Sequence, residues 1–170
     1  MIVDRTEFRP SAARDHHALR QLHSRVFDRE SEGNLAIALL EDASIATLDL
    51  LAQLDGMILG HVLLSEAADG PDNALVLGPL AVDPAWRDFQ VGTQLVRRAL
   101  ADSRIAGWKS VFVLGEPDYY GRFGFKRSLA ENVACAYNTG SAFQALELLS
   151  GSLGNYAGQL NYPAPFHAVD

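Results

Sequence analysis

The chain has 170 residues, 48% apolar and 21% charged, the composition of an ordinary globular domain long enough to bury a core without disulfides or metals. Its net charge of −7 disfavours nucleic acid as the main partner, since phosphate binding needs a basic face, and mildly favours a cationic substrate. No apolar run approaches the ~18 residues of a membrane span, the first ten residues carry Asp4 and no apolar stretch, and the lone Cys135 excludes an intrachain disulfide. A cytoplasmic protein with no membrane partner is expected.

A first strand is expected to end at Glu7–Arg9, before a turn at Pro10 and Ser11. Asp15 to Phe27 reads as a helix, with Leu19, Leu22, Val26 and Phe27 on one face and Asp15 as N-cap. A second helix is expected from about Glu32 to Leu40, capped by Ser31. Ile45–Leu54 and Met57–Ser65 flank Asp55-Gly56, a hairpin signal, because a type I′ turn needs positive φ at both central residues. A polar loop, Ala67–Asn73, follows.

Ala74–Val82, ALVLGPLAV, suits a strand buried on both faces. Gly78-Pro79 lies within it, and proline cannot donate to a ladder, so a local break in pairing is expected there. Gly92 to Ile105 reads as a helix and Lys109–Leu114 as the next strand, together a βαβ crossover. Gly115 to Phe123 is expected to be a loop and short helix, with more sheet from Phe125 onward. The order β, αα, βββ, α, β, α, β describes an α/β sheet with mixed strand directions.

In Asp83–Gln94 a buried strand ends, a turn follows and a helix begins near Gly92. The first N–H groups of a helix lack internal partners and, with its dipole, form an anion site. Arg97, Arg98, Arg104, Arg122, Lys126 and Arg127 lie downstream and read either as part of that site or as a solvated face.

The turn resembles the acetyl-CoA signature of the Gcn5-related N-acetyltransferases, Arg/Gln-x-x-Gly-x-Gly/Ala after Val-Asp-Pro. Here Val82-Asp83-Pro84 precedes Arg87-Asp88-Phe89-Gln90-Val91-Gly92, matching at Arg87 and Gly92 and departing at Gln90. The run VLGEPDYYGRFGF (Val113–Phe125) is similar to the family's closing Tyr-x-x-x-Gly-Phe. With Gly60-His61, Leu77-Gly78-Pro79-Leu80 and Tyr162-Pro163…Phe166, it resembles the branch typified by YhbS.

The resemblance implies one domain over 1–170, with its motif core at about 57–128 and C-terminal strands and tail over 129–170. It implies a mixed, mostly antiparallel sheet with a splayed parallel pair around 74–82 and 109–114. It also implies acetyl transfer from acetyl-CoA, without a metal, to a primary amine of a small molecule or protein. Leu80, Ala81 and Val82 would bind the thioester and pantetheine. The amides of Phe89, Gln90, Val91, Gly92 and Thr93 would hold the pyrophosphate, with Arg87 and Asp88 in the same cofactor turn and the Gln90 side chain facing away, and Phe123 would join the cofactor site.

Tyr120 maps to the family's acid. His61 is the best-placed base, with Glu32, Glu116, Asp118 or a water chain as alternatives. Tyr119 and Cys135 read as packing residues. A non-catalytic acyl-CoA-binding module is the competing function, and a homodimer is left open.

Overall fold

The computed structural model describes residues 5–168. Its six strands are β1 (Glu7–Arg9), β2 (Thr47–Leu54), β3 (Met57–Glu66), β4 (Ala74–Val82), β5 (Ser110–Leu114) and β6 (Phe143–Glu147). They form one sheet in chain order, antiparallel throughout except where β4 and β5 run parallel. The helices are α1 (His16–Phe27), α2 (Ser31–Glu41), α3 (Val91–Ile105) and the short α4 (Pro117–Gly121).

Side-chain alternation divides the core into two layers. Val62, Leu64, Leu75, Leu77, Val111 and Val113 point to one face, where Leu95, Val96 and Ala99 of α3 pack on them. Leu63, Val76, Phe112 and Ala145 point to the other, covered by Leu35 and Leu39 of α2 and by Leu160, Tyr162 and Phe166 of the C-terminal segment. Burial on both faces explains why β3 and β4 read as nearly unbroken apolar runs.

The Asp55-Gly56 hairpin has the expected geometry, with φ of 50° and 81°. The helix starts differ from expectation. Asp15 sits at the N-cap of α1 without capping it, because its carboxylate accepts from the Ala12 N–H and from the Arg9 guanidinium instead. Ser31 lies inside α2, whose N-cap is Glu30. Past Phe125 the described residues form one strand, β6, paired with β5, and isolated bridges at Lys126↔Ala145 and Ala134↔Gln159, so the C-terminal third carries less sheet than expected.

Candidate active site

The break expected at Gly78-Pro79 is where β4 and β5 part. β5 follows β4 only from Ala74↔Ser110 to Leu77↔Val113. On its other side β4 stays with β3, but Leu64 pairs with Leu77 and Val62 with Leu80, so Gly78 and Pro79 together face Leu63 alone. This is a bulge, and its Gly78–Pro79 peptide is cis.

The Asp83 N–H donates to the Leu59 carbonyl at 2.8 Å, towards β3. Successive peptide groups of a strand point to opposite edges, so Ala81 also faces β3. The N–H groups of Leu80 and Val82 face the gap that β5 has left.

A cavity of about 420 Å³ opens at this gap. The bulge, Leu80, Leu114 and Tyr120 border it on the sheet side; Phe27, Glu32 and Leu35 from α1 and α2 and Tyr137, Tyr162 and Phe166 from the C-terminal segment complete it. Gly115 leaves space for the Tyr120 ring: a Cβ at residue 115 would collide with its Cε2 edge. Burial, with Tyr119 adding to it, pushes the Tyr120 phenol well above the ordinary tyrosine value, so it stays protonated. Among the described residues no hydrogen bond occupies its hydroxyl.

Beside it, Val82, Arg87, Gln90, Gly92, Thr93, Tyr119 and Arg122 line a second cavity of about 300 Å³. This is the start of α3, where no side chain caps the helix and its first main-chain bond runs from Gln94 N–H to the Gln90 carbonyl at 3.0 Å. The amides before Gln94 are therefore available to an anion, with two guanidiniums beside them. Arg122 lies over the Tyr119 ring at 4.6 Å and reaches the Thr93 hydroxyl at 3.5 Å. Asp83 fixes the turn from below, accepting from Ala85 N–H at 3.0 Å and from Arg25 of α1 at 2.9 Å.

Gln90 is left-handed, φ 62°, a conformation that glycine adopts without the clash other side chains incur. That is the physical content of the missing motif glycine. Gln90 is among the residues that border the cavity.

The Phe89 ring packs on Trp86 at 5.5 Å and the Val91 side chain is buried in the core, which leaves their amides for the turn, while Asp88 is exposed. Phe123 borders a separate cleft with Arg97, Arg104 and Arg122. Arg97 lies over Phe123, Arg98 over Phe8, Arg104 donates to the Leu148 carbonyl, and Arg127 to Asn138 and Phe143; the guanidiniums that border the turn cavity are those of Arg87 and Arg122.

His61 does not reach either cavity. It is wholly buried on the sheet face beneath α1, with Nε2 at 2.8 Å from Asp49 Oδ2 and Nδ1 at 2.9 Å from His23 Nε2. Ser11 donates to the same carboxylate. Burial pushes Asp49 up, but the His61 and Ser11 hydrogen bonds outweigh it and hold the carboxyl below its usual range. With Asp49 accepting from His61 Nε2–H, His61 Nδ1 accepts from His23, and His23 Nδ1 is left bare and unpartnered among the described residues. Burial, then His61, lowers the His23 value to about 3. The expected base is thus a structural histidine. Of the alternatives, Glu116 and Asp118 are exposed, while Glu32 borders the cavity.

Sequence reasoning did not find Tyr119, whose hydroxyl stands over Gly92. Nor did it find the aromatic wall of Tyr137, Tyr162 and Phe166, contributed by residues remote in sequence from the turn. Cys135 is half-buried and burial pushes its thiol up, as suits a packing residue.

The model of the GNAT acetyltransferase family matches residues 11–125, which span both cavities' sheet side and the turn. The chain belongs to the GNAT acetyltransferase family. It is 36% identical to the uncharacterized N-acetyltransferase YjhQ of Escherichia coli K12, over 74% of this chain and 72% of that protein. The crystal structure of E. coli YhbS in complex with CoA superposes with a TM-score of 0.88 at 30% identity, covering 96% of this chain and 92% of that one. A GNAT acetyltransferase from Brucella melitensis in complex with acetyl-CoA matches with a TM-score of 0.76 at 31% identity, over 95% and 97% of the two chains. The mixed sheet with one parallel pair is therefore the fold of this family. Among the described residues no helix is long and apolar enough to cross a membrane, and no three His, Cys, Asp or Glu side chains group as metal ligands.

Proposed function

We propose that this acetyltransferase holds acetyl-CoA along the open edge of β4 and transfers the acetyl group to a primary amine by direct attack. The observation that carries this is that the two cavities lie along one strand edge, Leu80 and Tyr120 bordering the first and their neighbours Val82 and Tyr119 the second. An anion-binding helix start with Arg87 and Arg122 leads past Val82 to a gap edged by free N–H groups and closed by a protonated tyrosine.

The pyrophosphate fits the uncapped turn of α3, where Gly92 leaves its backbone bare. The pantetheine amides fit the N–H groups of Leu80 and Val82. At the thioester, the same edge supplies a donor for the oxygen that gains charge as the amine attacks.

The amine nitrogen bonds to the carbonyl carbon and gives its proton to Glu32, the one carboxylate lining the cavity among the described residues. The carbon–sulfur bond breaks, and the Tyr120 hydroxyl protonates the departing thiolate. Proton exchange with solvent restores both groups.

Thiol release from acetyl-CoA in the presence of primary amines tests this reading. Tyr120→Phe is expected to lower kcat about 10²-fold, the usual scale of a general acid, while leaving the KM for acetyl-CoA nearly unchanged. Equal turnover by the variant excludes Tyr120 as the acid.

A further inference from the structure

The acceptor half of the 420 Å³ cavity has a chemistry opposite to that of the protein's surface. The whole chain is acidic, which favours polycations in bulk. Inside the cavity, Glu32 is the one charged side chain among the described residues, and Arg29 already neutralises it. The Arg29 Nε donates to both carboxylate oxygens, at 2.9 and 3.1 Å, and its Nη2 joins them. Glu32 keeps lone pairs for one amino group. A second ammonium entering this space finds no counter-ion, and an unpaired buried charge is strongly disfavoured.

The remainder of that half is aromatic and aliphatic. Tyr137 and Tyr162 meet edge to face at 4.6 Å, and Tyr162 and Phe166 at 4.9 Å. Within this wall the Tyr162 hydroxyl is buried with no partner among the described residues, on a side chain only 5% exposed. That hydroxyl is closed off from the open cavity, so the wall presents ring faces and edges to a ligand. The acetyl thioester takes the β4 side of the same cavity, so the acceptor is compact.

We propose that the acceptor is a compact aryl-alkyl monoamine. Its amino end lies on Glu32, and its ring lies among Phe27, Leu35, Tyr137, Tyr162 and Phe166. The proposal rests on the acetyl-transfer reading above.

Two readouts separate the proposal from that reading. The first is thiol release from acetyl-CoA with phenethylamine, tyramine, spermidine and kanamycin. The aryl-alkylamines are expected to show kcat/KM at least about tenfold above the polycations, and a preference for spermidine or kanamycin overturns the proposal.

The second is calorimetric titration of tyramine into the CoA-loaded protein. Tyramine binding without thiol release contradicts acetyl transfer and leaves the acceptor class standing. No binding of tyramine overturns the class, whatever the turnover of other amines.

One variant adds an independent check. Leu114 is 47% exposed at the cavity rim, so Leu114→Glu is tolerated by the fold. It adds an unpaired carboxylate and is expected to raise spermidine turnover relative to phenethylamine about threefold or more. An unchanged ratio contradicts the argument that missing counter-charge excludes polycations.

Discussion

The hydroxyl of Tyr119 lies 2.9 Å from the point where a Cβ on residue 92 would stand, so the start of α3 and the side of α4 meet only because residue 92 is glycine. The contact places a phenol over the first turn of α3, where burial pushes it up and the nearby Arg122 and Thr93 act against that. Gly92→Ala must displace Tyr119 or the turn. CoA affinity is expected to fall about tenfold, with the fold intact because the displaced atom ends a side chain. Adding Tyr119→Phe, which removes the clashing oxygen, should recover most of the loss. Calorimetric titration of the two variants checks this, and a double variant no better than Gly92→Ala contradicts it.

Gln90 carries a local cost rather than a binding defect. A non-glycine residue in a left-handed conformation is strained by about 1 kcal/mol, and glycine relieves this while loosening the unfolded chain. Gln90→Gly is therefore expected to shift CoA affinity by less than about threefold. Much tighter binding, measured by titration, would show that the native turn is compromised by its glutamine.

The buried histidine pair gives stability a pH dependence. His23 has a folded value of about 3 against 6.5 for the free side chain. The unfolded chain therefore binds the extra proton between those values, and stability falls as pH drops through that window. Above the unfolded value the contribution is flat. The slope is about 1.4 kcal/mol per pH unit well inside the window, so lowering the pH from 6.5 to about 5 should cost about 2 kcal/mol. His23→Gln keeps a donor for His61 without the titration and should flatten this part of the curve. Urea unfolding at a series of pH values measures it; an equally steep curve for the variant assigns the dependence elsewhere.

Much of this architecture is legible in the residues themselves. Gly78-Pro79 announces the parting of β4 and β5 because a proline in a buried strand leaves its neighbours without a ladder partner. Asp55-Gly56 announces its hairpin through the positive φ its turn demands. The arginines of α3 were ambiguous because a guanidinium's fate depends on what lies opposite, and Arg98 finds Phe8 from the far end of the chain. His61 on an apolar strand looks the same whether it faces a cleft or a buried partner. Only the packing of α1 over β3 decides, bringing His23 to it from 38 residues away. The aromatic wall is equally non-local, since the segment carrying Tyr162 and Phe166 has little regular structure of its own to announce where it docks.

The central claim is that the cofactor takes up the backbone groups β5 leaves free and those α3 leaves uncapped. Residue-resolved hydrogen exchange, with and without CoA, tests it most directly. CoA should slow the amides of Leu80, Val82, Gly92 and Thr93, and leave Ala81 unchanged because its N–H already faces β3. Protection of Ala81 in place of Leu80 and Val82, or none at the start of α3, would contradict the account.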